Sequence, residues 1–236
     1  MATEAHVTAD FYGTARGAVA ARLLAERLVD IWPSVAGLSL LGVGYTAPYM
    51  LPWRETASRC IALMPAHNGV TSWPPGGPNL SCTAEEDALP FGDLCFDRIL
   101  LVHGLEAAEH ARRLLREVWR VLKDDGRVLV VTPNRLGMWA HAESTPFGQG
   151  QPYSPSQVGQ LLAGALFRVE RIETALFLPP SRSRLILRSA RLWERAGRLL
   201  APSFSGVTIS EGVKDVYAAV PQGSAIRRRI VLADAA

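Results

Sequence analysis

Seven short, mostly apolar runs punctuate this chain, and helix-length segments separate several of them, which leaves few architectures open. The runs are 37–44 (GLSLLGVG), 59–65 (RCIALMP), 79–86 (NLSCTAEE), 95–105 (CFDRILLVHGL), 127–134 (RVLVVTPN), 168–180 (RVERIETALFLPP) and 206–220 (GVTISEGVKDVYAAV). Their lengths suit strands, and the apolar ones suit strands buried on both faces. Residues 9–33 place Val19, Leu23, Leu24, Leu28 and Ile31 at helical spacing and stop at Pro33. Residues 106–126 do the same with Ala111, Leu114, Leu115, Val118 and Val121, and Lys123 to Gly126 is expected to close that helix as a turn. Residues 154–167 begin on a serine cap, 183–202 read as one late helix, and Pro48 sits as it would in the first turn of a short helix. The alternation predicts an α/β, Rossmann-like, doubly wound sheet of seven mostly parallel strands with helices on both faces.

A chain of 236 residues suits one such domain: an N-terminal helix cap over 1–35, a core over 36–178, and a basic helix with the last strand over 179–236. The patch SWPPGGPN at 72–79 reads as a surface loop between the second and third strands. No run of about 18 apolar residues occurs, so no membrane span is expected, and the N-terminus lacks the pattern of a secretory signal. Cys60, Cys82 and Cys95 are odd in number and form no CxxC, which reads as reduced core thiols in a cytoplasmic protein. The histidines form no HxxxH or HExxH, so no metal site is expected. The net charge of +3 is uneven: from Arg182 to Ala236 ten basic residues face four acidic ones, a surplus of six, and the remainder is −3.

The loop after the first run, LSLLGVGYTAPYM, carries Gly42 and Gly44 one residue apart, where backbone could approach a ligand closely. In an open parallel sheet a ligand lies beyond the carboxyl ends of the strands. The lining loops here are Gly42 to Pro48, Met64 to Asn68, Glu85 to Leu89 and His103 to Glu106.

Residues 88–134 add Leu89-Pro90-Phe91, Phe96-Asp97, His103-Gly104-Leu105-Glu106, and Glu117 to Leu122 followed by Gly126. In this order the sequence resembles class I S-adenosylmethionine-dependent methyltransferases of the type 11 group, over roughly residues 36–178. The resemblance implies an S-adenosylmethionine site at Gly42, Gly44, Tyr45, Thr46, Met64, Pro65, Glu85, Asp87, Ala88 and Leu89. It is an altered site. Leu40 stands where the family has an acid before the first glycine, and Thr46 where a third glycine is common. Met64 or Pro65 occupies the place of the carboxylate that accepts the ribose hydroxyls, while Glu85 keeps the acid on the adenine side. One missing ribose contact would cost roughly 10- to 100-fold in affinity. A hydroxyl from Tyr45 or Thr46, or backbone at Ala66 to Asn68, could stand in.

For chemistry, His103 follows the fourth strand and is the candidate base, since imidazole titrates near neutrality; the alternative is a pocket-wall or cap histidine. The long loop 135–157 brings Trp139, His141, Phe147 and Tyr153, either as an aromatic lid over a substrate or as anchors of the loop itself. Tyr12 and Arg16 resemble residues with which family members cover the cofactor; helix packing is the other reading. Arg188, Arg191, Arg195 and Arg198 share a helix face beside Leu185, Leu192 and Leu199, a surface for an acidic partner protein, an anionic membrane or simply solvent, which the IRRRIVL segment at 226–232 could extend. Nucleic acid is not an expected partner, because only Trp193 interleaves with the arginines.

The sequence thus predicts an S-adenosylmethionine-dependent methyltransferase for a small molecule. The alternative is a catalytically inactive relative that binds a partner protein or another ligand. A nicotinamide-dependent reductase fits less well, because the loop lacks GxGxxG and no acid or arginine ends the second run.

Overall fold

A computed structural model describes residues 3–66 and 72–216. The parts of the expectations that concern Asn68, residues 217–220 and the 226–232 segment lie outside the described residues.

The strands are β1 (Ser39–Gly44), β2 (Arg59–Pro65), β3 (Ser81–Ala84), β4 (Phe96–Val102), β5 (Leu122–Pro133), β6 (Phe167–Ala175) and β7 (Val207–Lys214). They form one sheet in the order β3-β2-β1-β4-β5-β7-β6. The first five strands pair in parallel, and β7 runs antiparallel between β5 and β6. The strand order reverses beside β1, so the carboxyl ends of β1 and β4 border the crevice where ligands bind in such sheets.

Alternation along the buried strands builds a core on each face. Leu40, Leu100 and Leu129 point to one side, where α2 (Ala15–Ile31) lays down Leu24 and Leu28. Leu41, Val43, Ile99 and Leu101 point to the other, onto α4 (Ala111–Val121) and α5 (Pro155–Gly164). These leucines are fully buried, each stabilising the fold by about 1.5–3 kcal/mol. Ser154 caps α5 in a reciprocal capping box with Gln157.

Three boundaries differ from the sequence expectations. The N-terminal segment is two helices, α1 (Thr3–Gly13) and α2, because Thr14 leaves helical geometry and its hydroxyl accepts from the Gly17 N–H as an N-cap. Lys123 to Gly126 is not a turn ahead of the strand but an unpaired bulge within it, between the Phe96–Leu122 and Arg98–Arg127 pairs. It belongs to β5, which starts directly at Leu122, where Lys123 bonds Asp97. The late helix breaks into α6 (Arg184–Arg188) and α7 (Ala190–Leu200) at Ser189, whose hydroxyl bonds the carbonyls of Leu185 and Ile186. Between β1 and β2 lies the short α3 (Ala47–Met50), with Pro48 in its first turn as expected.

Candidate functional site

The two glycines of the β1 loop are required by the chain itself. Gly44 has φ +91°, and a Cβ there would strike the Val102 carbonyl. A Cβ on Gly42 would strike the side chains of Thr46 and Met50, which fill that space. The pair is first a tight packed turn. The residue that follows, Tyr45, is half-exposed, but its backbone N–H is given to the Val102 carbonyl at 2.8 Å.

Beside this turn lies a buried polar chain drawn from three distant parts of the sequence. The Tyr12 hydroxyl is 2.6 Å from that of Tyr49 and 2.7 Å from His103 Nε2, and His103 Nδ1 is 3.0 Å from Glu106 Oε1. The partners assign the protons. A carboxylate only accepts, so Nδ1 donates to Glu106, Nε2 accepts from Tyr12, and Tyr12 accepts from Tyr49. His103 is 7% exposed with φ +53°, an uncommon backbone state for a side chain beyond glycine. Burial pushes the Tyr12 phenol well above its ordinary range, helped by Tyr49, and burial likewise raises Tyr49. Tyr45 stacks on Tyr12 at 5.0 Å between centroids, and Phe147 meets His103 edge-on at 4.7 Å. Two buried oxygens here have no partner among the described residues: Thr46 Oγ1 and Glu106 Oε2. Their desolvation is unreturned within the chain, which marks a place for a ligand's donors.

The strand ends beyond are unlike one another. Met64 and Pro65 close β2 as buried apolar residues. After β3, Glu85 is exposed and has no partner among the described residues, whereas Asp87 pairs with Arg113 at 3.3 Å, Glu86 accepts from the His110 N–H, and Ala88 is exposed. Leu89 is buried, with its N–H given to Glu117. Arg120 then ties the carbonyls of Leu89 and Phe91 to Glu117 and Asp93. Asp97 accepts from the Ser39 N–H and Lys123. Of the sequence features that carried the family resemblance, Leu89-Pro90-Phe91, Phe96-Asp97 and Glu117 to Leu122 therefore do scaffold work, while His103 and Glu106 belong to the polar chain.

The aromatic loop is not one lid. Trp139 and Phe147 pack with Phe11 in the core on the α2 face, while Tyr153 packs on the α4–α5 face and His141 is exposed. Large rings contribute most when fully desolvated, and the Trp139 indole donates to the Leu178 carbonyl, so its burial leaves no orphan. Only Phe147 reaches His103. Arg16 is also buried, among carbonyls, away from the β1 turn. Arg188, Arg191, Arg195 and Arg198 are exposed, but the last three line a cleft of about 270 Å³ against α2 that also holds Glu26 and Asp30. Arg191 pairs with Glu26 at 3.2 Å, so part of this charge is answered within the chain. Leu185, Leu192 and Leu199 face outward.

Tyr49 and Glu106 were not singled out as site residues from the sequence. Glu106 had a signal: three residues after His103, within the same short motif. Tyr49 had none, because its partner lies 37 residues earlier.

Residues 41–130 match the family model Methyltransf_11, a methyltransferase domain. No curated protein sequence matches the chain. Among solved structures, it is similar to a possible histamine N-methyltransferase from Thermotoga maritima, at 17% identity and TM-score 0.58, over 87% of this chain and 93% of that one. It is also similar to a putative methyltransferase from Haloferax volcanii, solved in complex with the Trm112 methyltransferase activator, at 17% identity and TM-score 0.53, over 84% of this chain and 96% of the other. A third similar structure is the (4+2)-cyclase SpnF, at 19% identity and TM-score 0.54, over 81% of each chain. The chain has the fold of S-adenosylmethionine-dependent methyltransferases, and the segment supplying β1, β2 and β4 carries that domain's sequence pattern. Both likenesses point to S-adenosylmethionine as the cofactor of this domain type.

Proposed function

We propose that this chain is a cytoplasmic S-adenosylmethionine-dependent methyltransferase acting on a small molecule. One observation carries the reading: the methyltransferase-domain match over 41–130 spans His103 and Glu106 of the polar chain and both unpartnered oxygens, on Thr46 and Glu106. The residues present fit the cofactor in part. The Thr46 hydroxyl and the open Glu85 carboxylate supply polar partners, whereas the backbone at Gly42 to Tyr45 is already paired with β2, β4 and the Val102 carbonyl. Met64 and Pro65 supply an apolar wall where a carboxylate would serve better, and Asp87, Ala88 and Leu89 border the Glu85 side. Bound S-adenosylmethionine supplies an activated methyl group on its sulfonium.

The chain's own residues would then handle the proton. Glu106 holds the His103 ring with Nε2 open to accept, and the Tyr12 hydroxyl stands on that nitrogen. An acceptor's proton passes to the Tyr12 oxygen as Tyr12 gives its own to Nε2. Phe11, Phe147 and Tyr45 keep water from this path.

A second reading is a catalytically inactive member that binds a partner or another ligand. It is favoured by Thr46 filling the Gly42 space and by the apolar end of β2. An acidic protein would then dock on Arg188, Arg191, Arg195 and Arg198 beside the exposed Leu192 and Leu199. No described helix is long and apolar enough to cross a membrane.

Calorimetric titration with S-adenosylmethionine and S-adenosylhomocysteine separates the two. The enzyme reading expects micromolar binding, weakened about tenfold by Glu85→Ala, the loss of roughly one charge-assisted contact. Absence of heat at high micromolar ligand would discard it.

A further inference from the structure

Outside the strand-end crevice, the chain holds a buried positive charge that meets the Phe11 ring, two carbonyls and the Ser144 hydroxyl but no anion among the described residues. Arg16 is 7% exposed, yet no carboxylate pairs with it among the described residues. Its terminal nitrogens donate to the carbonyls of Pro180 and Ser144, both at 3.2 Å, and its Nε is buried with no partner among the described residues. A buried guanidinium is normally paired with an acid, because neutral carbonyls return only part of its lost hydration.

Arg16 lines a cleft of about 430 Å³ together with Thr14, Ala15, Arg182 and Leu187. Arg182 is exposed on this cleft and likewise has no acidic partner among the described residues. Burial, and then the nearby Arg182 charge, lowers the Arg16 pKa from its ordinary value, as two cations facing one space without an anion must.

The cleft also opens on the start of α2, a helix of 17 residues with no acid in its first turn. Thr14 answers the N–H groups of Gly17, through its hydroxyl, and Ala18, through its carbonyl. Those of Ala15 and Arg16 have no partner among the described residues, and they point out of the helix start with the positive end of its dipole.

We propose that this cleft is a phosphate site, in which Arg16, Arg182 and the first-turn N–H groups of α2 hold a dianionic phosphate against the Leu187 wall. Two guanidinium groups plus a helix terminus match a dianion better than a carboxylate, which would leave half the charge unanswered. None of the lining residues comes from the loops after β1 to β4, so the site is separate from that suggested for the methyl donor. The phosphate could be free or part of a phosphate monoester.

The test uses the full chain with S-adenosylhomocysteine at a saturating level, and titrates inorganic phosphate or glycerol phosphate by calorimetry and thermal shift, with sodium chloride at matched ionic strength as control. The expected result is phosphate binding and a rise in Tm that chloride does not give. Arg182→Glu, at an exposed position, should keep the basal Tm and weaken phosphate binding at least about tenfold. Arg182→Lys should retain part of it. Tighter binding of glycerol phosphate assigns the site to a monoester, and tighter binding of inorganic phosphate to the free ion. Equal stabilisation of the wild type and Arg182→Glu, or an equal effect of chloride, would overturn the proposal. Loss of phosphate binding on adding S-adenosylhomocysteine would overturn its separateness.

Discussion

The clamp around Leu89–Phe91 and the polar chain from Tyr12 to Glu106 stand at neighbouring loops of one sheet, and they are built on opposite terms. In the clamp, every charged group meets a partner: Arg120 reaches two carbonyls and two carboxylates, and Glu117 returns a bond to the Leu89 N–H. At the polar chain, Thr46 Oγ1 and Glu106 Oε2 go unanswered, His103 sits at positive φ, and two phenols are desolvated. The first arrangement spends its bonds on stability. The second leaves capacity unspent, as functional sites do. The stretch that makes the family recognisable therefore holds both kinds of element: the clamp around Leu89–Phe91, and His103 with Glu106 in the polar chain.

Breaking each region in turn should expose this difference. Arg120→Ala removes the centre of the clamp and is expected to lower the unfolding free energy by about 3 kcal/mol, read by urea denaturation. A loss below about 1 kcal/mol would mean that the clamp is decorative. Glu106→Gln keeps the volume and removes only the charge that orients His103. It should leave stability within about 1 kcal/mol while cutting methyl transfer about tenfold and altering its pH profile. If stability falls as far as in Arg120→Ala, the contrast between the regions fails.

The smallest effect is expected in acid. Bonds from Arg120 hold the Glu117 carboxyl below its usual range, and Lys123 with the Ser39 N–H does the same for Asp97 against the cost of burial. Depressed carboxyls add stability that is present above their unfolded pKa, near 4, and is lost as pH falls through the folded value. Burial raises Glu194 despite its bonds from the Leu176 and Phe177 N–H groups, so its contribution has the other sign: present below pH of about 4.5 and lost as pH rises through its folded value. The net result should be a shallow loss of Tm below pH of about 4, reduced in Glu117→Gln. An unchanged acid limb in that variant would remove Glu117 from the account.

What could be read from the sequence follows range of interaction. The run 59–65 is β2 to the residue, and the serine at 154 caps α5, because buried alternation and caps are written in adjacent residues. The start of β5 differs from the local reading because Lys123-Asp124-Asp125-Gly126 keeps its turn chemistry as an unpaired bulge, while Leu122 before it already pairs with Phe96. The break at Ser189 was hidden in a continuous helical pattern. At the site, the glycines and His103 were visible as positions, but not their circumstances. That Thr46 and Met50 occupy the space at Gly42, and that Tyr12 reaches His103 across 91 residues, depends on packing that no local spacing encodes.

The hydroxyl of Tyr12 has one further consequence. It sits on His103 Nε2 and belongs to α1, a helix joined to α2 through the single non-helical residue Thr14. A molecule that is to touch the imidazole directly must first evict that phenol, and with it unseat the stacked ring of Tyr45. Admission and unlatching are then the same event, and the N-terminal segment behaves as a turnstile whose resistance every visitor to the imidazole has to overcome.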